Sequence, residues 1–147
     1  MRARARAEPT TLVLGIDSNA AGMAAAASRA ARGSRRGGLA NACFLVAAVE
    51  GLPAVLAGTA DLVTIQLPWA ALLRGLVHGD EAFTGPIAAL VKPGGELRLL
   101  LSVTEREAGN GLEILGAADL ARLTRALEGQ GLRGVECRPA TAANVAA

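Results

Sequence analysis

The residues best suited to chemistry in this chain stand at the ends of apolar segments. Asp17 closes the apolar run Thr11–Asp17, and Trp69, the only tryptophan, follows Leu62–Leu67 and Pro68. An acidic residue at the end of a strand commonly accepts hydrogen bonds from the ribose hydroxyls of a nucleotide-like cofactor. In an open parallel α/β sheet, ligands bind outside the carboxyl ends of the strands. A Pro-Trp pair at such an end would therefore lie over a binding site.

Each of these residues also has a purely structural interpretation. Asp17, or Ser18 or Asn19 after it, would serve equally well as the N-cap of the helix that follows. Trp69 would be a core or lid residue, because tryptophans are usually largely buried. The residues alone leave both interpretations open.

Positive charge is unevenly distributed along the chain, although the formal net charge is only +2. The arginines crowd the N-terminus and one glycine-containing linker: Arg2, Arg4 and Arg6, then Arg29, Arg32, Arg35 and Arg36. A basic cluster on a loop is typical of a surface that binds the phosphate backbone of RNA or DNA. It is also typical of a solvated loop that binds nothing.

The other candidate groups exclude several kinds of catalysis. His78 is the only histidine, and Cys43 and Cys137 form no C-x-x-C pair, so no metal site is predicted. Both cysteines are expected to be buried free thiols. A single histidine and the lack of a G-x-S-x-G motif exclude a serine hydrolase triad. No G-x-x-x-x-G-K-[ST] motif is present, which argues against a P-loop nucleotidase.

The composition is that of a globular protein. With 147 residues, 52% of them hydrophobic, the chain is expected to fold as a single domain over residues 1–147. No apolar run approaches the roughly 20 residues of a membrane span. The arginine-rich start is not followed by a signal-type segment, so the sequence predicts a cytoplasmic protein without a membrane partner.

The segments that must position these residues alternate between strands and helices. Apolar, β-branched runs predict strands at Thr11–Asp17, Ala42–Ala47, Leu62–Leu67, Glu96–Ser102 and Leu132–Cys137. The third of these is expected to be buried on both faces. Helical segments are predicted at Ala20–Arg32, Leu52–Leu56, Ala70–Val77, Glu81–Val91 and Ala117–Glu128, and the short basic start of the chain is compatible with the end of another helix. This alternation predicts an α/β fold with a parallel sheet that helices cover on both faces.

The connecting segments are predicted from their glycine, proline and polar content. They comprise a flexible linker at Gly33–Gly38, a sharp reversal at Lys92–Gly95, a loop at Thr104–Gly111 and a featureless tail at Ala140–Ala147.

Four motifs in succession carry a resemblance to a known family. They are V-L-G-I-D at Val13–Asp17, F-L-V-A-A-V-E-G-L-P at Phe44–Pro53, P-W-A-A-L-L-R-G at Pro68–Gly75 and K-P-G-G at Lys92–Gly95. Over nearly the whole chain, they resemble the small-subunit (16S) ribosomal RNA adenine-N1 methyltransferases that give aminoglycoside resistance. The acidic residue and K-P-G-G are generic to methyltransferases that use S-adenosylmethionine. The A-A-x-E-x-L-P motif followed by P-W-x-x-L-L-R is much more specific.

The resemblance implies a Rossmann-like class I methyltransferase sheet and a role for each strand end. Asp17 would hold the ribose of S-adenosylmethionine, with Ala48, Val49 and Glu50 beside its adenine and Gln66 lining the same crevice. Trp69, the candidate catalytic residue, would stack on the target adenine of 16S rRNA in the small ribosomal subunit. The implied RNA-binding residues are Arg32, Arg35, Arg36, Arg74 and Arg106. The enzyme is expected to act as a monomer without a metal.

The chain departs from the family pattern at both ends. No acidic glycine-rich loop precedes Asp17, so the first strand and this loop are expected to be missing and the sheet incomplete. The late segment with a second stacking tryptophan is also expected to be missing, and Ala71 stands where the family often has a hydroxyl or Lys. Three hypotheses follow: an active rRNA methyltransferase, an inactive fragment or RNA-binding remnant of that family, and an unrelated nucleotide-binding oxidoreductase.

Overall fold

The computed structural model describes residues 1–103, 115–134 and 136–141. These residues belong to two compact units, Met1–Gly51 and Leu52–Ala147. Each unit contains a pair of parallel strands and the helices packed against it. Arg106, the predicted loop Thr104–Gly111 and most of the predicted tail lie outside the described residues.

The first unit contains two helices and two strands. In chain order they are α1 (Arg2–Ala7), β1 (Val13–Asp17), α2 (Ala20–Ala30) and β2 (Ala42–Val46), with short 3₁₀ helices at Ser34–Arg36 and Val49–Gly51. The predicted helix and strand positions of this unit are confirmed to within a few residues. Strand β1 pairs with β2 in parallel, from Val13 opposite Ala42 to Asp17 opposite Val46. The predicted parallel pairing is therefore confirmed here.

Local side-chain chemistry sets the ends of these elements. The Asn19 side chain accepts a hydrogen bond from the Gly22 amide at 3.1 Å, so Asn19 is the N-cap of α2. The Asn41 side chain donates to the backbone carbonyls of Ala5, Glu8 and Thr11, at 2.9–3.0 Å, which ties α1 to the connection before β1. A buried cluster of Ala5, Ala30 and Leu39 packs between these segments. Small side chains allow α1 and α2 to approach the strands closely.

The second unit has the same alternation. It contains a 3₁₀ helix at Ala54–Leu56 and then β3 (Ala60–Gln66), α3 (Ala70–His78), α4 (Glu81–Leu90), β4 (Val91–Leu100) and α5 (Ala117–Gly129). Strands β3 and β4 are parallel. Helix α3 contributes the core of this unit, because Leu73 and Leu76 have no exposed surface. No described helix is long and apolar enough to cross a membrane.

The K-P-G-G segment lies inside β4 rather than ahead of it, which corrects the predicted strand start at Glu96. Ala60 pairs with Val91 and Leu62 with Glu96, so five residue steps on β4 oppose two on β3. The extra residues form a bulge in which Gly94 takes φ +77°, a conformation that glycine adopts without strain. The Lys92 amino group donates to the Asp61 carboxylate across this bulge, and this contact lowers the pKa of Asp61.

Three burial and strand predictions were wrong. Strand β3 has only half-buried and exposed residues, because the described helices cover neither of its faces completely. Cys43 lies in β2 and Cys137 near the end of the described chain, and both are free but exposed, since neither side chain faces a core. No strand forms in the described part of the predicted fifth one, where Gly134 takes φ +68° and interrupts extended backbone.

Candidate functional site

Asp17 stands at the carboxyl end of β1 with its side chain exposed. One carboxylate oxygen accepts the Asn19 backbone N–H at 2.8 Å, which fixes the turn into α2. A carboxylate has about four lone-pair positions on its two oxygens, so this bond leaves acceptor capacity for a ligand. The N-cap interpretation of Asp17 is therefore wrong, because Asn19 caps α2, but the Asp17 carboxylate holds the turn before that cap and still has acceptors free for a ligand.

The turn after β2 lies beside Asp17. The Ala47 N–H donates to the Asp17 carbonyl at 3.1 Å, and the Gly51 N–H closes a 3₁₀ turn on Ala48 at 3.1 Å. Ala48 and Glu50 in this turn are exposed, and Val49 is half-buried. The first unit therefore brings together Asp17 and the predicted residues 48–50, as the parallel pairing of β1 and β2 requires.

Gln66 ends β3, with its side chain exposed, in the second unit. It is followed by the connection that carries Trp69. Both residues and Arg74 of α3 therefore share one strand-to-helix segment. The predicted convergence of all three strand ends in one crevice stays a prediction.

Trp69 is exposed over 74% of its surface, so it is not a core residue. It is the N-cap residue of α3, and Pro68 before it is buried. Leu67, two residues before Trp69, and Ala70, directly after it, have left-handed backbone with φ +49° and φ +53°. A large aromatic side chain that faces solvent from a fixed turn is suited to stacking on a planar ligand.

The arginines in and just before the predicted linker are exposed, and residues 32–38, with Arg32, Arg35 and Arg36, are named the arginine loop. Arg29, Arg32, Arg35 and Arg36 are all exposed, the last two on the 3₁₀ helix Ser34–Arg36. Backbone hydrogen bonds hold the two ends of residues 33–38 together and against α2. The Gly38 N–H donates to the Gly33 carbonyl at 3.3 Å, and the Leu39 N–H donates to Ala30 at 2.8 Å.

Arg6 is an addition to this surface that the sequence did not single out. Its Nη2 atom lies 3.6 Å from the position that a Cβ would take on Gly37, so α1 places this guanidinium against the arginine loop. Arg6 also lines a shallow groove with Pro9 and residues 38–41. The crowding of arginines at the N-terminus was the available signal, but only the packing of α1 shows which of them reaches the loop.

Arg74 is exposed on α3, one turn after Trp69. Arg106 lies outside the described residues. Within the described residues, no three His, Cys, Asp or Glu side chains are grouped closely enough to hold a metal ion.

Comparison with known proteins identifies the family. The family described as NpmA, 16S rRNA (adenine(1408)-N(1))-methyltransferase, matches residues 1–145. The chain belongs to this family. The predicted resemblance to the 16S rRNA adenine-N1 methyltransferases is thereby confirmed, and the family match favours it over a nucleotide-binding oxidoreductase.

Curated members of this methyltransferase family are similar over part of their length. A 16S rRNA (adenine(1408)-N(1))-methyltransferase from Streptoalloteichus tenebrarius is 32% identical over 99 residues, which cover 67% of this chain and 45% of that protein. One from Escherichia coli is 29% identical over 85 residues, which cover 58% of this chain and 39% of that protein. The matched region thus spans less than half the length of these relatives.

Solved structures of the family share the fold of this chain. The aminoglycoside resistance methyltransferase NpmB1 is 37% identical with a TM-score of 0.81, over 88% of this chain and 66% of that one. A mutant of the 16S rRNA (adenine(1408)-N(1))-methyltransferase from Catenulisporales acidiphilia, crystallised with its cosubstrate SAM, is 33% identical with a TM-score of 0.81. That match covers 88% of this chain and 61% of the mutant enzyme. The α/β architecture is therefore that of a methyltransferase.

Proposed function

We propose that this chain forms part of an S-adenosylmethionine-dependent methyltransferase that modifies N1 of the decoding-site adenine in 16S rRNA. The observation that carries the proposal is the exposed Trp69 at the carboxyl end of β3, within a chain of this family. The fold is proposed to be the Rossmann-like class I methyltransferase fold. The small ribosomal subunit is the proposed partner, and weaker aminoglycoside binding at that site is the expected consequence.

The residues of the first unit suit the adenosine part of the cofactor. The exposed carboxylate of Asp17 provides acceptors for two neighbouring ribose hydroxyls. The small side chain of Ala48 leaves the backbone of the adjacent 3₁₀ turn open to a flat purine, with Val49 and Glu50 beside it. In the second unit, the Gln66 amide at the end of β3 offers both a donor and an acceptor. When bound, S-adenosylmethionine supplies an electrophilic methyl group, whose bonding electron pair remains on sulfur.

Trp69 is proposed to hold the target base. Removing an adenine from a helical stack costs a few kcal/mol, and stacking it on an aromatic side chain returns about 1–3 kcal/mol. The adenine N1 lone pair then forms the new bond to the methyl carbon. Because the acceptor is a neutral lone pair, alignment rather than general-base catalysis is the main requirement of the protein.

The arginine loop is proposed to bind phosphates of 16S rRNA. Arg32, Arg35 and Arg36 are exposed together, and guanidinium groups bind phosphate oxygens in a bidentate manner. Arg74 of α3 is proposed to bind RNA close to the flipped base, and Arg106 is proposed to bind RNA as well.

The test is transfer of labelled methyl from S-adenosylmethionine to purified small ribosomal subunits. Methylation of N1 blocks the pairing edge of adenine, so reverse transcription of the product rRNA should stop next to a single decoding-site adenine. Subunit binding without transfer would instead support the RNA-binding remnant. If the chain neither binds the subunits nor transfers methyl to them, the proposal is overturned.

Asp17→Ala is expected to weaken S-adenosylmethionine binding by about 10- to 150-fold. A hydrogen bond to a charged group contributes about 1.5–3 kcal/mol, and each 1.4 kcal/mol is tenfold in affinity. Isothermal titration calorimetry with the wild-type and variant proteins measures this difference directly.

Ser18→Ala is the matched control, because Ser18 is the exposed neighbour of Asp17 and is assigned no contact with the cofactor. Its affinity should equal that of the wild type. An Asp17→Ala affinity within twofold of the wild type would remove Asp17 from the cofactor site.

The double variant Arg35→Gln/Arg36→Gln should make subunit binding less dependent on salt. Each phosphate contact contributes about 0.7–0.9 to the slope of log K against log salt, so the slope should fall by about 1.5. Arg125→Gln/Arg133→Gln removes the same charge from exposed residues of the second unit and should leave the slope nearly unchanged. Equal slopes for the two double variants would show that the arginine loop has no special role.

A further inference from the structure

The backbone on both sides of Trp69 is strained. Leu67 has φ +49° and Ala70 has φ +53°, and these are the only non-glycine residues with positive φ in the described part of the chain. Residues with a Cβ reach this region only in a small left-handed well, because the Cβ comes too close to the following carbonyl oxygen. Glycine would occupy both positions without strain. The two strained residues thus flank the segment that carries the exposed indole.

The turn is anchored at both ends by the core of the second unit. The Leu67 N–H donates to the Leu100 carbonyl at 2.8 Å, which continues the β3–β4 ladder. Pro68 is buried, and Leu73 one turn into α3 has no exposed surface. The anchors therefore force the chain through this tight connection while leaving the indole in solvent.

A side chain at these positions restricts the turn more than glycine would. Once the anchors require positive φ, a residue with a Cβ is confined to a narrow range of φ and ψ, whereas glycine at positive φ has a wide range. The choice of Leu67 and Ala70 over glycine therefore exchanges some backbone strain for a stiffer turn. Strain of this kind persists where the surrounding structure over-determines the backbone, and it clusters at functional sites.

We propose that Leu67 and Ala70 are positioning residues that hold the Trp69 indole in one orientation. Their Cβ atoms limit the backbone motion of the turn, so the stacking face is preorganised before a base arrives. The stiffness of the turn is independent of the reaction, whereas its effect on methyl transfer rests on the function proposed above.

The intrinsic fluorescence of this chain reports on the proposal directly. Trp69 is the only tryptophan and the chain has no tyrosine, so emission excited at the indole band comes from Trp69 alone. Time-resolved anisotropy separates local motion of the indole from tumbling of the whole protein. We expect Leu67→Gly and Ala70→Gly each to raise the amplitude of the fast local decay at least twofold. Circular dichroism should show that both variants stay folded, because glycine is the least strained residue at positive φ.

Two further variants separate positioning from a general loss of order. Ala71→Gly makes the same chemical change one residue later, at ordinary φ, and should leave the fast decay nearly unchanged. Ala70→Asn should also retain the wild-type decay, because asparagine tolerates the left-handed well but still has a Cβ. Unchanged decay in both positive-φ glycine variants, or an equal increase in Ala71→Gly, would overturn the proposal.

Methyl transfer to small ribosomal subunits is then measured with the same four variants. If the wild type transfers methyl, Ala70→Gly should lower the rate several-fold, and Ala70→Asn should retain it. A larger fast anisotropy decay in the glycine variants, with no methyl transfer by the wild type, would support the stiff turn but contradict the proposed function. A larger fast anisotropy decay with an undiminished rate of methyl transfer in Ala70→Gly would show that indole orientation does not limit the reaction. This result would overturn the positioning role.

Discussion

Trp69→Ala should reduce methyl transfer to the small ribosomal subunit by roughly 5- to 150-fold. This range corresponds to the loss of about 1–3 kcal/mol of base stacking. The residue is exposed over 74% of its surface, so its removal leaves no cavity in the core. Transfer of labelled methyl at a subsaturating concentration of subunits measures the effect.

Trp69→Phe is the matched control for this prediction. Phenylalanine keeps an aromatic face on the same turn, so the variant should retain most of the rate. Both variants should unfold at nearly the wild-type temperature. An undiminished rate in Trp69→Ala would exclude stacking by this residue, and a large drop in unfolding temperature would show that the indole supports the fold instead.

Gly38→Ala should destabilise the first unit by roughly 3 kcal/mol, at the upper end of the usual cost of overpacking. An ideal Cβ on Gly38 would lie 1.5 Å from the carbonyl oxygen of Arg32, a backbone atom that cannot rotate away. The loop that carries Arg35 and Arg36 would have to shift. Urea unfolding, monitored by circular dichroism, gives the change in the free energy of unfolding.

Gly33→Ala tests whether this effect belongs to the close contact rather than to the loop as a whole. Gly33 is the other end of the same segment, and a Cβ there would meet nothing within 4 Å. Its free energy of unfolding should change by less than about 0.5 kcal/mol. Equal stability of the two variants would show that the backbone near Arg32 adjusts at no cost.

Local patterns in the sequence predicted most of the helices and strands. The alanine content of α2 and its Asn19 cap involve only residues close along the chain. The apolar runs of β1, β2, β3 and the second half of β4 have the length and residue types of strands. Parallel pairing follows from the alternation of strands with helices, because a crossover returns the chain in the same direction. The motifs at Phe44–Pro53 and Pro68–Gly75 were the most specific signal for the family.

Long-range packing decided what local patterns did not determine. The bulge at K-P-G-G depends on how β4 aligns with β3, so the sequence alone placed the strand start too late. The exposure of Cys43 depends on which face of β2 is covered. A strand's sequence does not show which of its apolar residues face a core, because burial depends on which other elements pack against the strand.

The α/β class, the family and the order of most elements followed from the sequence, because propensities, caps and motifs act between residues close along the chain. Packing between distant segments was needed to show that Trp69 faces solvent, that Arg6 reaches the arginine loop and that Gly38 has no room for a side chain. It also placed the strained residues Leu67 and Ala70 on either side of the indole. These features arise where separate segments meet, and the distances between such segments are set by packing rather than by the local sequence.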